Sequence, residues 1–300
     1  MMKASRKILA IILALAVSVL VAGCGGGGGA GSAGSKEQLK LGNIGWDENT
    51  VVANLTKILL EDDLGYDNVQ IQQADVGPTF EGVASGDLDA FQDVWMPNHQ
   101  DYMSKVQDRV KQLSDWYTDT TQFGLAAPAY MGISSIDQIN STGVDEITGI
   151  EPGAVISEYI DKYTIPWYGL NVTQRTSSTA AMLSELDRKY KDKEPIIFPA
   201  WKPHWMNDDY DIVYLADPKD SLYPLNRPSE VSSIVRQGLQ NDHPDAYTLM
   251  DTIRLGEKEV VSIERDSEFS SNPEQAVRNW VEKNRDTVQP WIDAARQQQS

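Results

Sequence analysis

The sequence predicts an α/β protein built as two similar lobes with a ligand cleft between them, and three features point that way. Apolar periodicity switches between strand-like runs and helical spacing in the order βαβαβ, and does so twice. Each repeat closes its third strand with the same punctuation, Trp95-Met96-Pro97 in the first and Trp201-Lys202-Pro203 in the second. A third tryptophan followed by acids, Gly45-Trp46-Asp47-Glu48, ends the first strand of the first repeat.

In the first repeat, Leu41–Trp46 reads as a strand. Val51–Leu64 reads as a helix, with apolar residues at Val52, Leu55, Ile58 and Leu59 and a stop at Gly65. Val69–Ala74 is the second strand, a helix opened by Pro78 closes near Gly86, and Leu88–Trp95 is the third strand. This order is the signature of a parallel sheet covered by helices. In the second repeat the strands are Glu146–Ile150, Leu170–Gln174 and Pro195–Trp201, and the helices Val155–Tyr163 and Ala180–Tyr190. Residues 225–300 read as helical, with Asp251–Leu255 and Ala276–Trp291 amphipathic, and complete the first lobe. Lobe 1 is therefore expected to comprise 39–124 plus 225–300, and lobe 2 to comprise 125–224. Ligands of open α/β sheets bind beyond the carboxyl ends of the strands, so Trp46, Trp95, the Glu151-Pro152-Gly153 turn and Trp201 are expected to face one interlobe cleft.

Ahead of the folded part, Lys3, Arg6 and Lys7 precede an apolar run of about 14 residues from Ile8 to Val21. Spanning a bilayer takes roughly 20, so residues 1–23 read as a signal peptide. Cys24, the only cysteine, follows Val21-Ala22-Gly23, a segment that resembles the lipobox of bacterial lipoproteins. The resemblance implies a lipid anchor on Cys24 and an extracytoplasmic, membrane-attached protein. Residues 24–38, dominated by Gly, Ala and Ser, read as a flexible tether.

The chain carries 44 acidic against 26 basic residues, a net charge of -18. Nucleic acid and anionic membrane surfaces need a basic footprint, and that balance argues against both as partners. A cationic or zwitterionic ligand is compatible with it. Three histidines and one cysteine at no ligating spacing argue against a metal site. With no Gly-x-Ser-x-Gly elbow and no Walker-type loop, catalytic residues and a cofactor are not expected. Clustered tryptophans have their own chemistry: indole faces are the strongest protein partners for a cation that cannot donate a hydrogen bond.

Five segments, taken in order, resemble one family. They are Gly45-Trp46-Asp47, Ala84-Ser85-Gly86-Asp87-Leu88-Asp89-Ala90, Trp95-Met96-Pro97-Asn98-His99, Gly149-Ile150-Glu151-Pro152-Gly153 and Trp201-Lys202-Pro203-His204-Trp205-Met206. The family is that of the glycine-betaine and choline binding proteins of osmoprotectant ABC importers, a branch of the periplasmic-binding-protein superfamily. The resemblance implies a prism of Trp46, Trp95 and Trp201 around a trimethylammonium group. It further implies that the ligand's carboxylate is held by the backbone amides of Val155 and Ile156, at a helix start, and by His99. An ABC permease and its ATPase would be the partners. Choline, proline betaine and carnitine are alternative ligands, and a sensory lipoprotein domain of the same fold is the alternative function. Phe123 falls where choline-type relatives carry a cage aromatic, and Glu151 and Trp205 stay open as ligand contacts. Trp116, Trp167, Trp280 and Trp291 read as packing, and Trp205 as backing the cage. His204 reads as structural, His243 as a surface residue at a helix start, and Asp47 and Glu48 as helix caps.

Overall fold

The computed structural model describes residues 38–267 and 269–299. The expected signal peptide, the expected lipidation of Cys24 and nearly all of the expected tether lie outside the described residues. The first repeat forms β1 (Leu39–Asn43), β2 (Val69–Gln73) and β3 (Ala90–Met96), joined by helices Asp47–Leu64 and Val76–Ser85. A further strand, β4 (Val110–Asp115), follows. The chain then crosses into β5 (Gln122–Pro128), β6 (Glu146–Thr148), β7 (Thr173–Arg175), β8 (Phe198–Lys202) and β9 (Ile212–Tyr214), and returns as β10 (Glu230–Arg236).

The first sheet has the order β2-β1-β3-β10-β4. β1 runs parallel to β2 and β3, whereas β10 is antiparallel to both β3 and β4. The expected parallel sheet is therefore mixed, because residues 230–236, expected to be helical with the rest of 225–300, instead form the strand β10, whose place is set by antiparallel pairing with β3 and β4. β10 places Val231 opposite Trp95 and so braces the strand end that carries the tryptophan. The second lobe holds β8-β5-β9, all antiparallel, and the parallel pair β6-β7, with a bridge between Ile147 and Ile197 linking the two groups. Pro199 is tolerated because β8 lies at the edge of its three-stranded sheet.

Several boundaries differ from expectation for identifiable reasons. β1 ends at Asn43, and Gly45, at φ 87°, turns the chain so that Trp46 becomes the residue before the first helix. A Cβ at Gly45 would also meet the Gln73 side chain at 2.7 Å, so glycine is doubly required there. That helix starts at Asp47, four residues early, and stops at Gly65 in the left-handed conformation. Asp47 and Glu48 occupy its first turn and make no capping bond, which corrects the cap assignment. Ala276–Trp291 is two helices, Pro273–Lys283 and Arg285–Arg296, separated at Asn284. Asp251–Leu255 is not a helix: Ile253 leaves the helix Pro244–Thr252 in an extended conformation, and Leu255 bridges to Tyr117.

Trp116, Trp280 and Trp291 are buried in the core, whereas Trp167 is half exposed on the short helix Ile165–Tyr168 and is not a packing residue. His243 does precede a helix, but it is buried against Tyr66 and is not a surface group. Among the described residues no helix is long and apolar enough to cross a membrane, and no His, Cys, Asp and Glu group is placed to hold a metal.

Candidate functional site

All six residues named from the sequence, Trp46, Trp95, His99, Val155, Ile156 and Trp201, line one small cavity. Glu48, Asn98, Phe123, Ile150 and Ala154 complete the lining. The aromatic wall is a ring of near neighbours. Trp46 and Trp201 have centroids 6.2 Å apart, Trp201 and Phe123 6.3 Å, Phe123 and Trp95 6.2 Å, and Trp46 and His99 5.8 Å. None of these pairs is stacked face to face, with interplanar angles between 30° and 61°. Tilted rings leave π-surface turned toward the space between them, which is what a spherical cation without N–H groups needs.

Phe123 enters this wall through β-sheet register, since on β5 it stands directly opposite Trp201 on β8. Trp205 does not line the cavity. It lies 5.4 Å from His204, whose ring meets Trp201 edge-on at 4.8 Å, so the two back the cage from behind. Glu151 does not line the cavity either, but it holds one of its walls.

Each cage indole is anchored through its N–H to a carboxylate. Trp46 Nε1 donates to Glu151 Oε2 (3.2 Å), Trp95 Nε1 to Asp93 Oδ1 (2.8 Å) and Trp201 Nε1 to Glu48 Oε2 (3.0 Å). Behind them, Trp205 Nε1 donates to Asp47 Oδ2 (2.8 Å). Glu151 is itself fixed by the Thr179 amide (2.7 Å) and hydroxyl (2.9 Å). A hydrogen bond of this kind adds a directional restraint on ring orientation to that supplied by packing. The bonds of Trp46, Trp201 and Trp205 cross the cleft, as does that of Tyr102, whose hydroxyl donates to the Gly153 carbonyl (2.9 Å). These four bonds tie residues 46–102 to residues 151–205.

The carboxylates behind the rings are unusual. Glu48 and Asp93 are fully buried, and burial pushes both upward, Asp93 to about 8; Glu48 is raised further by the nearby Asp93 and Glu264. Burial and Asp47 raise Glu264 as well.

At the other end of the cavity the chemistry changes to uncharged donors. His99 is buried, and desolvation lowers its pKa to about 3, so the imidazole is neutral. Its Nδ1 accepts the Trp95 backbone N–H at 3.2 Å, which leaves the proton on Nε2. Val155 and Ile156 are the first two residues of a helical run that continues through a π-turn to Tyr168. Amides at these positions have no acceptor within the helix and sit at the positive end of its dipole. One cavity therefore combines an aromatic box backed by carboxyls with a donor-rich, uncharged end.

A two-lobed α/β fold of this kind with a small aromatic cavity at its cleft is that of a substrate-binding protein. Residues 37–283 match the family described as the substrate binding domain of ABC-type glycine betaine transport systems, and the chain belongs to that family. It is a family of transport receptors and not of enzymes. The chain is 37% identical over 160 residues to the glycine betaine/carnitine transport binding protein GbuC of Listeria monocytogenes, a match covering 52% of this chain and 51% of that protein. It thus spans about half the length of that relative. Among solved structures, lactococcal OpuAC, in its closed conformation with glycine betaine, superposes with a TM-score of 0.77 at 28% identity, covering 86% of this chain and 100% of that one. An ABC-transporter choline binding protein in complex with choline superposes with a TM-score of 0.76 at 25% identity, covering 85% and 91%.

Proposed function

We propose that this chain captures glycine betaine at the cell surface, between its two lobes, and presents it to an ABC permease and its ATPase. The observation that carries the proposal is the two-ended cavity. Trp46, Trp95, Trp201 and Phe123 surround the trimethylammonium group, and His99 Nε2–H and the amides of Val155 and Ile156 receive the carboxylate. Aromatic faces contribute about 0.5 to 2 kcal/mol each when water is excluded. Together with the carboxylate bonds this reaches the roughly 8 kcal/mol of micromolar binding. Residues 39–124 with 225–300 form one lobe and 125–224 the other, and ligand favours their closure because it contacts both. Residues 1–23 direct export, and a lipid on Cys24 with the 24–38 tether keeps the receptor at the membrane.

Choline is the second reading, and the presence of Phe123 and a buried carboxyl, Glu48, in the cavity wall favours it. Calorimetric titration of the full chain with each ligand decides between them. Tight betaine with weak choline supports the carboxylate site, the reverse order removes it while keeping the cage, and silence with both refutes the transport reading.

A further inference from the structure

Glu48 and Asp93 do something that a cage alone does not require. Their outer oxygens bind cage indoles from opposite sides of the cleft, Trp201 on β8 and Trp95 on β3. Their remaining oxygens, Glu48 Oε1 and Asp93 Oδ2, are buried and have no hydrogen-bond partner among the described residues. Glu48 also lines the cavity. The groups that face Glu48 are all neutral or acidic. Asp93 comes from β3, Glu264 from the helix Glu257–Glu264, Trp201 from β8, and the Tyr117 phenol from the segment after β4. Asp47, the neighbour on its own helix, acts on Glu264 and lies 3.3 Å from His204 Nε2. No lysine or arginine is ion-paired with Glu48, Asp93 or Glu264 among the described residues.

Buried carboxyls whose charges act on one another, with no ion-paired cation beside them, cannot all ionise, because each charge opposes the next in a medium from which water is excluded. A trimethylammonium group in the cavity would be the counter-charge that this wall lacks. We propose that the Glu48–Asp93 pair holds a proton in the ligand-free protein and gives it up when a quaternary ammonium enters, so that capture is coupled to proton release. This inference rests on the quaternary-ammonium reading of the site. In the step, one carboxyl O–H bond breaks, its electron pair stays on the oxygen as carboxylate, and the proton passes to water and buffer. The ligand itself exchanges no atom. The two carboxyls titrate as a unit, so the proton belongs to the pair. Both remain acceptors for the indole N–H groups in either state, so ring orientation is kept while charge is gained. The pair positions the cage and adjusts its field to the ligand.

The consequence is linkage: affinity strengthens as pH rises through the range where the free protein is protonated and the complex is not. His99, neutral throughout this range, does not contribute.

The test is calorimetric titration of the full chain with glycine betaine and with choline near pH 7, in phosphate and in Tris, whose ionisation enthalpies differ. Release of a substantial fraction of one proton per ligand is expected, with a dissociation constant that falls with pH by up to about tenfold per unit between roughly pH 5.5 and 8.5. Glu48→Gln, whose amide oxygen still accepts the Trp201 N–H, should release less and show a flatter pH profile, as should Asp93→Asn. Ligand heats that agree between buffers, with a pH-independent affinity in the unaltered protein, would overturn the linkage. Proton release unchanged in both variants would overturn its assignment to this pair. Absence of heat with either ligand is a different result, which removes the quaternary-ammonium reading and this inference with it.

Discussion

The two Trp-x-Pro turns begin alike and end differently. Trp95 closes β3 and Trp201 closes β8; both are followed by a cis X–Pro bond, and both put an indole into the cavity wall. In the first turn Asn98 separates the proline from His99, and in the second His204 follows Pro203 directly. That one residue decides the fate of the imidazole. His99 reaches the cavity with Nδ1 held by the Trp95 amide. His204 is folded under Trp201, with Nδ1 accepting from the Met206 amide at 3.1 Å. The same local punctuation thus yields a cavity-facing group in one turn and a buttress in the other, and the spacing after proline, more than the residue type, carries the difference.

Removing a face from either turn should have the largest effect. Trp95→Ala and Trp201→Ala are each expected to weaken glycine betaine binding about 100-fold, the loss of one cation–π face together with the contacts it organises. Calorimetry checks this, and parent-like affinity in either variant would break the equivalence of the two turns as cage walls.

The histidines should separate the turns. His99→Ala removes a donor to the ligand's carboxylate and should cost betaine about tenfold while sparing choline. His204→Ala should leave the betaine–choline ratio unchanged and instead lower the stability of the free protein by roughly 1 to 3 kcal/mol, read from a denaturant melt. Equal ligand selectivity in both variants would erase the distinction.

A pH series sharpens the same contrast. His99 has a folded pKa of about 3 against the usual 6.5, so its contribution to stability is present above pH 6.5 and is lost as pH falls toward 3. The parent should therefore lose stability relative to His99→Gln over that interval, by up to about 1.4 kcal/mol per unit. The raised carboxyls act in the opposite direction, their stabilisation being lost as pH rises toward about 8, and the difference between the two proteins cancels them. A constant difference across the interval would contradict a buried neutral imidazole.

The smallest effect is expected at Phe123, where Leu keeps the bulk and loses the π-face. A few-fold loss of affinity would place it at the rim of the cation site, whereas a loss equal to that of a tryptophan would make the cage four-sided.

Much of this was legible from the amino acids. Period-2 and period-3.6 patterns located the two βαβαβ repeats, and the tryptophans stood at element ends where aromatic residues seldom cluster by accident. What escaped depended on partners distant in sequence. Nothing near residues 230–236 announces that β10 will slip between β3 and β4, because insertion is decided by pairing across the sheet. Phe123 became a wall residue only through its register with Trp201. Glu48 looked like an ordinary acid at a helix start until Trp201 arrived from the other lobe to claim it. Trp167 misled for the converse reason: its residue type predicts burial, but its helix stands at the surface.

The cross-cleft indole bonds also bear on spectroscopy. If the lobes part as proposed, Trp46, Trp201 and Trp205 lose the acceptors they find across the cleft, while Trp95 keeps Asp93 on its own strand. Three emitters would then move from a carboxyl-bonded setting into water while a fourth keeps its bond, so intrinsic fluorescence reports lobe separation without an added dye, and the single-tryptophan contributions say which wall has moved.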